Sequence, residues 1–97
     1  MKHFVILINY TAPADVVDSI RSEHREFLKG GYQKGILLMS GPFTPPTGGA
    51  VVARAESEDD IRAFFSKDPY AIQSAATHQI IEFDPVLRQS FLEEWVR

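Results

Sequence analysis

The sequence predicts an α+β protein in which helices cover one face of an antiparallel β-sheet. Two kinds of segment alternate along its 97 residues. Short runs rich in Val, Ile and Phe favour strands, and longer runs with apolar residues every three or four positions favour helices. They follow one another in the order β-α-β-β-α-β, with one more helix at the end, and this is the order of the ferredoxin-like fold.

The first predicted strand spans residues 2–10, and both of its faces are apolar. Its side chains alternate in two sets, with Phe4, Ile6, Ile8 and Tyr10 on one face and Val5 and Leu7 on the other. A strand of this kind is covered on both sides. Because the helices supply only one cover, we expect a second subunit to supply the other, which predicts a homodimer that buries sheet against sheet. Whether such dimers associate further stays open.

The segment "TAPADVVDSIRSEHREFLKGG" predicts the first helix. Pro13 suits its first turn, and the pair Gly30-Gly31 suits its exit. Its apolar stripe consists of Val16, Val17, Ile20, Phe27 and Leu28. His24 occupies the missing step between Ile20 and Phe27, so this imidazole is predicted to face inward.

The rest of the chain supplies three strands and a second helix. "GILLMSGPF" predicts a strand over Ile36–Gly41, ended by Pro42, which cannot donate to a sheet. "AVVARA" and "HQIIEFD" predict the third and fourth strands. Between them, Ser57 has the position of a helix cap, and Asp68 before a proline ends the helix or caps a new short turn.

The tail "VLRQSFLEEWVR" predicts an amphipathic helix over residues 87–97. Leu87, Phe91 and Trp95 lie at steps of four along it. A helix with this stripe needs a surface to pack against, and a neighbouring subunit is one candidate. We therefore expect one domain over residues 1–97, with a core over 1–86 and this helix at its end.

Composition excludes several classes of function. Ten Lys and Arg stand against thirteen Asp and Glu, with no basic run, so nucleic acid is not an expected partner. The absence of cysteine excludes disulfides, zinc thiolates and thiol nucleophiles. No apolar run approaches the roughly 20 residues of a membrane span. These features predict a soluble, cytoplasmic protein with no membrane partner.

His24 and Asp68 are the main candidates for chemistry, and each has a structural alternative. An inward imidazole can serve as an acid, a base or a ligand, or can be a core histidine bonded to a backbone carbonyl. Asp68 continues the stripe of Ile61 and Phe65, so its carboxylate can turn toward the same cleft as His24, or can act only as a cap. From the pattern alone both alternatives stay open.

Other kinds of site have little support. Ser40 lies at a strand end, and the absence of a G-x-S-x-G motif argues against a serine hydrolase. His3 and His78 each open a strand and are predicted as edge or surface residues, so no metal site is expected. Neither a G-x-G-x-x-G nor a Walker motif occurs, and no cofactor is expected.

The motifs "EHREFL", "LMSGPF", "FFSKDPYAI" and "IIEFDPV", in this order, resemble the YciI-like family, also called the YCII-related domain. The resemblance extends to about Val86. It implies a dimeric α+β barrel and a site in which the family's histidine falls on His24 and its aspartate on Asp68. The residues expected to bind substrate there are Ser40, Gly41, Pro42 and Tyr70. The resemblance carries no role for the terminal helix.

Two functions are compatible with these residues. The resemblance implies acid–base chemistry without a cofactor, of the lyase or dehydrochlorinase type, on a small aromatic or anionic molecule. His24 would move the proton and Asp68 would orient the imidazole. The alternative is a module that binds a small ligand or a partner without catalysis.

Overall fold

A computed structural model describes residues 1–97 as a four-stranded antiparallel sheet with the longer helices on one face. The strands are β1 (Lys2–Tyr10), β2 (Leu37–Pro42), β3 (Gly48–Ala55) and β4 (Ala76–Phe83). The helices are α1 (Ala14–Gln33), α2 (Glu58–Phe65), α3 (Pro69–Ile72) and α4 (Glu93–Val96). The predicted ferredoxin-like α+β architecture is confirmed. No helix combines the length and apolar character that crossing a bilayer requires.

The apolar first strand lies at the centre of the sheet. The strand order is β2-β3-β1-β4, and β1 pairs antiparallel with both of its neighbours. Ile6 lies opposite Val51 of β3 and Ile80 of β4. Since directly opposed residues point to the same side of a sheet, these three side chains face the helices together.

The core fills the space between this face of the sheet and α1 and α2. Phe4 and Ile6 of β1 are fully buried there. The helices contribute Val17, Ile20, Leu28, Ile61 and Phe65. Burying one side chain of this size stabilises the fold by about 1.5–3 kcal/mol. The core therefore fixes the position of α1, which carries His24.

Helix α1 does not end at Gly30-Gly31 as the sequence suggested. It continues to Gln33, and the chain turns at Gly35, whose φ of +73° favours glycine. Gly31 is buried inside the helix, where an added Cβ would lie 2.7 Å from Phe64 and 2.8 Å from Leu37. This glycine permits close packing of α1, so the predicted exit is wrong.

The terminal helix is also shorter than predicted. A single 3₁₀ turn at Ser90–Leu92 leads into α4, and residues 87–89 are not helical. Leu87 and Phe91 are 92% and 80% exposed, so two of the three residues of the expected stripe have no surface to pack against. Only Trp95 packs. The Arg54 guanidinium lies 5.1 Å from its ring centre and donates to its carbonyl oxygen over 2.7 Å.

Trp95 covers one end of the sheet face opposite the helices, which we call the second face. Next to this end the face is apolar and has no helix over it in the single chain. Val5 lies opposite Val52 and Ile81, and Leu7 follows on the same side. Ile81 is 40% exposed. A central strand with two apolar faces therefore has a complete cover on only one of them.

The adjacent glycines of α1 predict opposite effects of one substitution. Gly30→Ala should raise the free energy of unfolding by about 0.5–1 kcal/mol, because alanine favours a helix and no atom lies within 4 Å of the added Cβ. Gly31→Ala should lower it by about 1–3 kcal/mol, because the new methyl overpacks the core. Urea denaturation measures both. Equal effects of the two variants would contradict the packing described for Gly31.

Candidate active site

A hydrogen bond joins His24 to Asp68. His24 lies on the buried side of α1, and its Nδ1 is 2.8 Å from Oδ1 of Asp68. Asp68 is fully buried at the N-terminus of α3, where the same oxygen accepts from the backbone N–H of Tyr70 over 3.0 Å. The carboxylate therefore caps a helix and contacts the imidazole at the same time.

His78 of β4 also contacts Asp68. Its Nε2 lies 2.8 Å from Oδ2 of Asp68, so one carboxylate bridges two imidazoles. His78 pairs in register with Ile8, a core residue on the helix side of β1. His78 does lie on an edge strand, but the prediction of a surface position is wrong, because this register turns its side chain toward the helices. The alternation of Ala76, His78 and Ile80 along β4 was the signal that could have shown it.

His3 is buried too, but it lies away from this cluster. It belongs to the second face of the sheet, where its ring centre is 5.5 Å from that of Trp95. Its prediction as a surface residue is wrong as well, because β1 is central and Trp95 covers it. Burial lowers the pKa of His3.

The bridge keeps Asp68 ionised. Burial acts to raise the pKa of Asp68, but the hydrogen bonds from His24 and His78 outweigh it and hold the pKa below its ordinary value of 3.8. An ionised carboxylate only accepts hydrogen bonds, so each imidazole presents an N–H to it. In His24 the hydrogen bond therefore uses a proton on Nδ1, which leaves Nε2 as the nitrogen that can accept a proton.

Tyr70 holds the His24 ring from one side. The two rings stack with their centres 4.2 Å apart and their planes 25° apart. Tyr10 meets Tyr70 edge to face at 5.5 Å. Burial and the neighbouring Tyr10 raise the pKa of Tyr70 to about 12, so its hydroxyl stays protonated at neutral pH. The stacking and the Asp68 hydrogen bond together fix both the plane and the direction of the imidazole.

The ring of His24 borders a cleft of about 560 Å³ between α1 and the adjoining strand ends. This volume lies within the range of small-molecule sites. Of the predicted site residues, the cleft is lined by His24, Ser40, Gly41, Pro42 and Tyr70. Asp68 lies behind His24 and does not line it. Ser40 Oγ is 2.7 Å from the Tyr32 hydroxyl, so its orientation is set by a neighbour.

Two arginines of α1 also line the cleft, and neither was predicted as a site residue. Arg21 and Arg25 lie on the same side of the helix as His24. Charged residues on a helix normally belong to its solvent-facing side, which is why they were overlooked. Helical spacing could have identified them. Arg21 and Arg25 lie seven and three residues before the buried Leu28, so all three residues lie on one side of α1.

His24, Asp68 and His78 are side chains that often bind metal ions, but here they are not arranged around a common metal position. No set of three or more His, Asp, Glu or Cys side chains is placed to bind a metal ion. Both oxygens of Asp68 already accept hydrogen bonds from imidazoles. The ring nitrogen of His24 that remains without a protein partner is Nε2, and it is not fully buried. This nitrogen is the atom through which the cluster can act on a bound molecule.

Comparison with known proteins places these features in context. The family model described as the YCII-related domain matches residues 2–84. Among solved structures, the chain is similar to the 5-chloro-2-hydroxyhydroquinone dehydrochlorinase of Burkholderia phenoliruptrix AC1100 in complex with 2,5-dihydroxybenzoquinone. The TM-score is 0.71 at 19% identity, over 84% of this chain and 92% of that one, which shows a shared fold. No curated protein sequence matches the chain.

The bridged carboxylate predicts a specific dependence of stability on pH. Because the pKa of Asp68 is lower in the folded state than its ordinary 3.8, ionised Asp68 stabilises the fold above that pH, and this contribution is lost as the pH falls through the folded-state pKa. Asp68→Asn should lower the free energy of unfolding near neutral pH by about 1–3 kcal/mol. The difference from the wild type should shrink below about pH 4.

Chemical denaturation across the acid range measures this difference. Asp84→Asn is the matched control, because Asp84 is exposed and its side chain makes no hydrogen bond or ion pair within 4 Å. It should change stability by no more than about 0.5 kcal/mol. A deficit in Asp68→Asn that stays constant down to acid pH would contradict the ionised bridge.

Proposed function

We propose that this chain, which belongs to the YCII-related family, is an enzyme that transfers protons with His24 and needs only its own side chains to do so. The observation that carries the proposal is the 2.8 Å hydrogen bond between His24 and the buried Asp68 at the wall of a cleft. A general acid or base works when its tautomer and direction are fixed and its reacting nitrogen reaches the substrate. His24 meets the first requirement within the protein and offers Nε2 for the second.

In the proposed mechanism Nε2 of His24 removes a proton from the bound molecule. The imidazole then carries protons on both nitrogens, and its positive charge is paired with the Asp68 carboxylate through Nδ1. Asp68 stays ionised throughout, as in the histidine–aspartate pairs of hydrolases. Returning the proton from Nε2 to product or to the leaving group restores the neutral ring. Asp68 therefore acts as a positioning residue, and His24 is the catalytic residue.

The reaction class we favour is an elimination on a small, aromatic or anionic molecule. The similar solved structure is a dehydrochlorinase and holds a quinone. In such a step the proton passes to Nε2 of His24, its bonding electrons move into the conjugated system, and the leaving anion departs with its own electron pair. Ser40, the Gly41 backbone, Pro42 and Tyr70 would hold the ring during this step, since all four line the cleft.

Replacement of the proton-transferring residue tests the proposal. A panel of hydroxylated and halogenated aromatic compounds is screened for turnover with the purified wild type. His24→Ala should lower the rate on any compound turned over by about 10²–10⁴-fold, the contribution typical of a positioned acid or base. Asp68→Asn should lower it as well, because the ring would lose its fixed tautomer.

Glu23→Ala is the control for this screen. Glu23 precedes His24 in α1 but is exposed and does not line the cleft, so turnover should be unchanged. A rate that survives in His24→Ala would contradict the proposed role of the imidazole. Saturable binding without turnover would replace the enzyme by the alternative, a module that binds a small ligand.

We also propose that the protein forms a homodimer through the second face of its sheet. On this face the half-buried Val5 and Val52 lie beside Ile81, which is 40% exposed, and β1 has no helix over this side beyond the end that Trp95 covers. A two-fold interface would bury the same residues on both subunits. The cleft lies on the helix side of the sheet, so this association leaves it open.

Light scattering tests the dimer. The wild type at micromolar concentration should have twice the mass of one chain. Leu7→Glu should shift it to the monomer, because a buried unpaired carboxylate is costly. Ser22→Glu adds the same charge to the exposed side of α1 and should leave the mass unchanged. A monomeric wild type would overturn the proposal.

A further inference from the structure

The charges in the cleft have one sign. Arg21 and Arg25 line it, and no Asp or Glu does. Arg21 is paired outside the cleft, with its guanidinium 2.7 Å from Asp18. Arg25 is exposed and makes no ion pair or side-chain hydrogen bond. We infer that the cleft takes a small organic anion, and that Arg25 is the residue that selects it.

The unpaired state of Arg25 is unusual for this helix. The other two cationic side chains of α1 both have acidic partners three residues away, Arg21 with Asp18 and Lys29 with Glu26. Arg25 also lies four residues after Arg21, a spacing at which like charges disfavour the helix. Its position therefore does not serve helix stability. A guanidinium that lines a cleft without an internal partner is available to an anion from solution.

The geometry of α1 connects this charge to His24. Arg25 is the next residue after His24, and Arg21 is one turn before Arg25, so both guanidiniums start from the helix side that borders the cleft. The planar guanidinium can hold a carboxylate or an ionised hydroxyquinone through two parallel hydrogen bonds. An anion held there would place the rest of the molecule beside Nε2 of His24.

The other walls of the cleft define the rest of the ligand. Ile8, Leu28 and Val51 form apolar surface, with Pro42 and Pro46 at the strand ends. A cationic contact at one side and apolar contacts elsewhere fit a molecule with one anionic group on a compact apolar body. The volume of about 560 Å³ accommodates a single substituted ring.

This inference rests on the proposed function only for the identity of the cleft, and it adds a role to that mechanism. When Nε2 of His24 removes a proton, negative charge develops on the substrate. A cation already paired with the anionic group also stabilises this additional charge, so it favours the deprotonated state over the bound ground state. Arg25 would therefore act in binding and would also favour the deprotonated substrate.

A matched pair of probes tests the inference. 2,5-Dihydroxybenzoate and 2,5-dihydroxybenzamide share one ring and differ in the charge of one group. NMR titration at neutral pH should show that the wild type binds the carboxylate at least about tenfold more tightly than the amide. Arg25→Gln should abolish this preference. Added salt should weaken carboxylate binding in the wild type and have little effect in Arg25→Gln.

Lys29→Gln is the control. It removes the same charge one turn further along α1, but Lys29 pairs with Glu26 and does not line the cleft. It should keep the preference for the carboxylate, which separates a local contact from an effect of net charge. Equal binding of the two probes by the wild type, a preference that persists in Arg25→Gln, or saturation by neither probe would overturn the inference.

The outcomes for Arg25 and His24 are separable. Selective anion binding that depends on Arg25, with no turnover that depends on His24, would support this inference and refute the proposed enzyme. Turnover of a neutral compound that depends on His24 but is unchanged in Arg25→Gln would support the proposed enzyme and refute this inference.

Discussion

The buried carboxylate of Asp68 holds three parts of the fold together. It accepts hydrogen bonds from His24 of α1, from the backbone of Tyr70 at the start of α3, and from His78 of β4. Removing a charge from water is costly unless its partners are well placed, and the loss of one partner leaves that cost uncompensated. The same hydrogen bonds orient the imidazole at the cleft. The same two oxygen atoms therefore stabilise the fold and position the histidine of the proposed chemistry.

The two faces of the sheet present different surfaces. On the helix side, Ile8 and Val51 belong to the hydrophobic core and also line the cleft. On the second face, Val5 and Val52 point the other way from the same strands. Strand β1 contributes to both faces because it is central, and this explains why its sequence is apolar at every position from Phe4 to Ile8. The surface available for association and the surface available for a ligand do not compete.

Much of the fold follows from periodicity, and the failures have physical causes. The alternation in β1 and the helical spacing around His24 are strong signals because burial enforces them. In β4, the alternation of Ala76, His78 and Ile80 indicates that His78 faces inward, but the adjacent apolar Ile81 makes this pattern ambiguous in sequence. Gly31 was assigned to an exit because sequence does not distinguish a glycine needed for close packing from one needed for a turn. The spacing of Leu87 and Phe91 suggested a helix, but the chain provides no surface for it.

The candidate site was only partly accessible from sequence for a related reason. Its histidine and aspartate stand out locally, but the pairing joins residues 44 positions apart, and His78 adds another partner ten positions further on. A chain still emerging from the ribosome could build α1 long before the last strand arrives to place His78. The site is thus completed by the final strand of the sheet, and a fragment that ends before β4 would retain Asp68 without one of the two imidazoles that balance its charge.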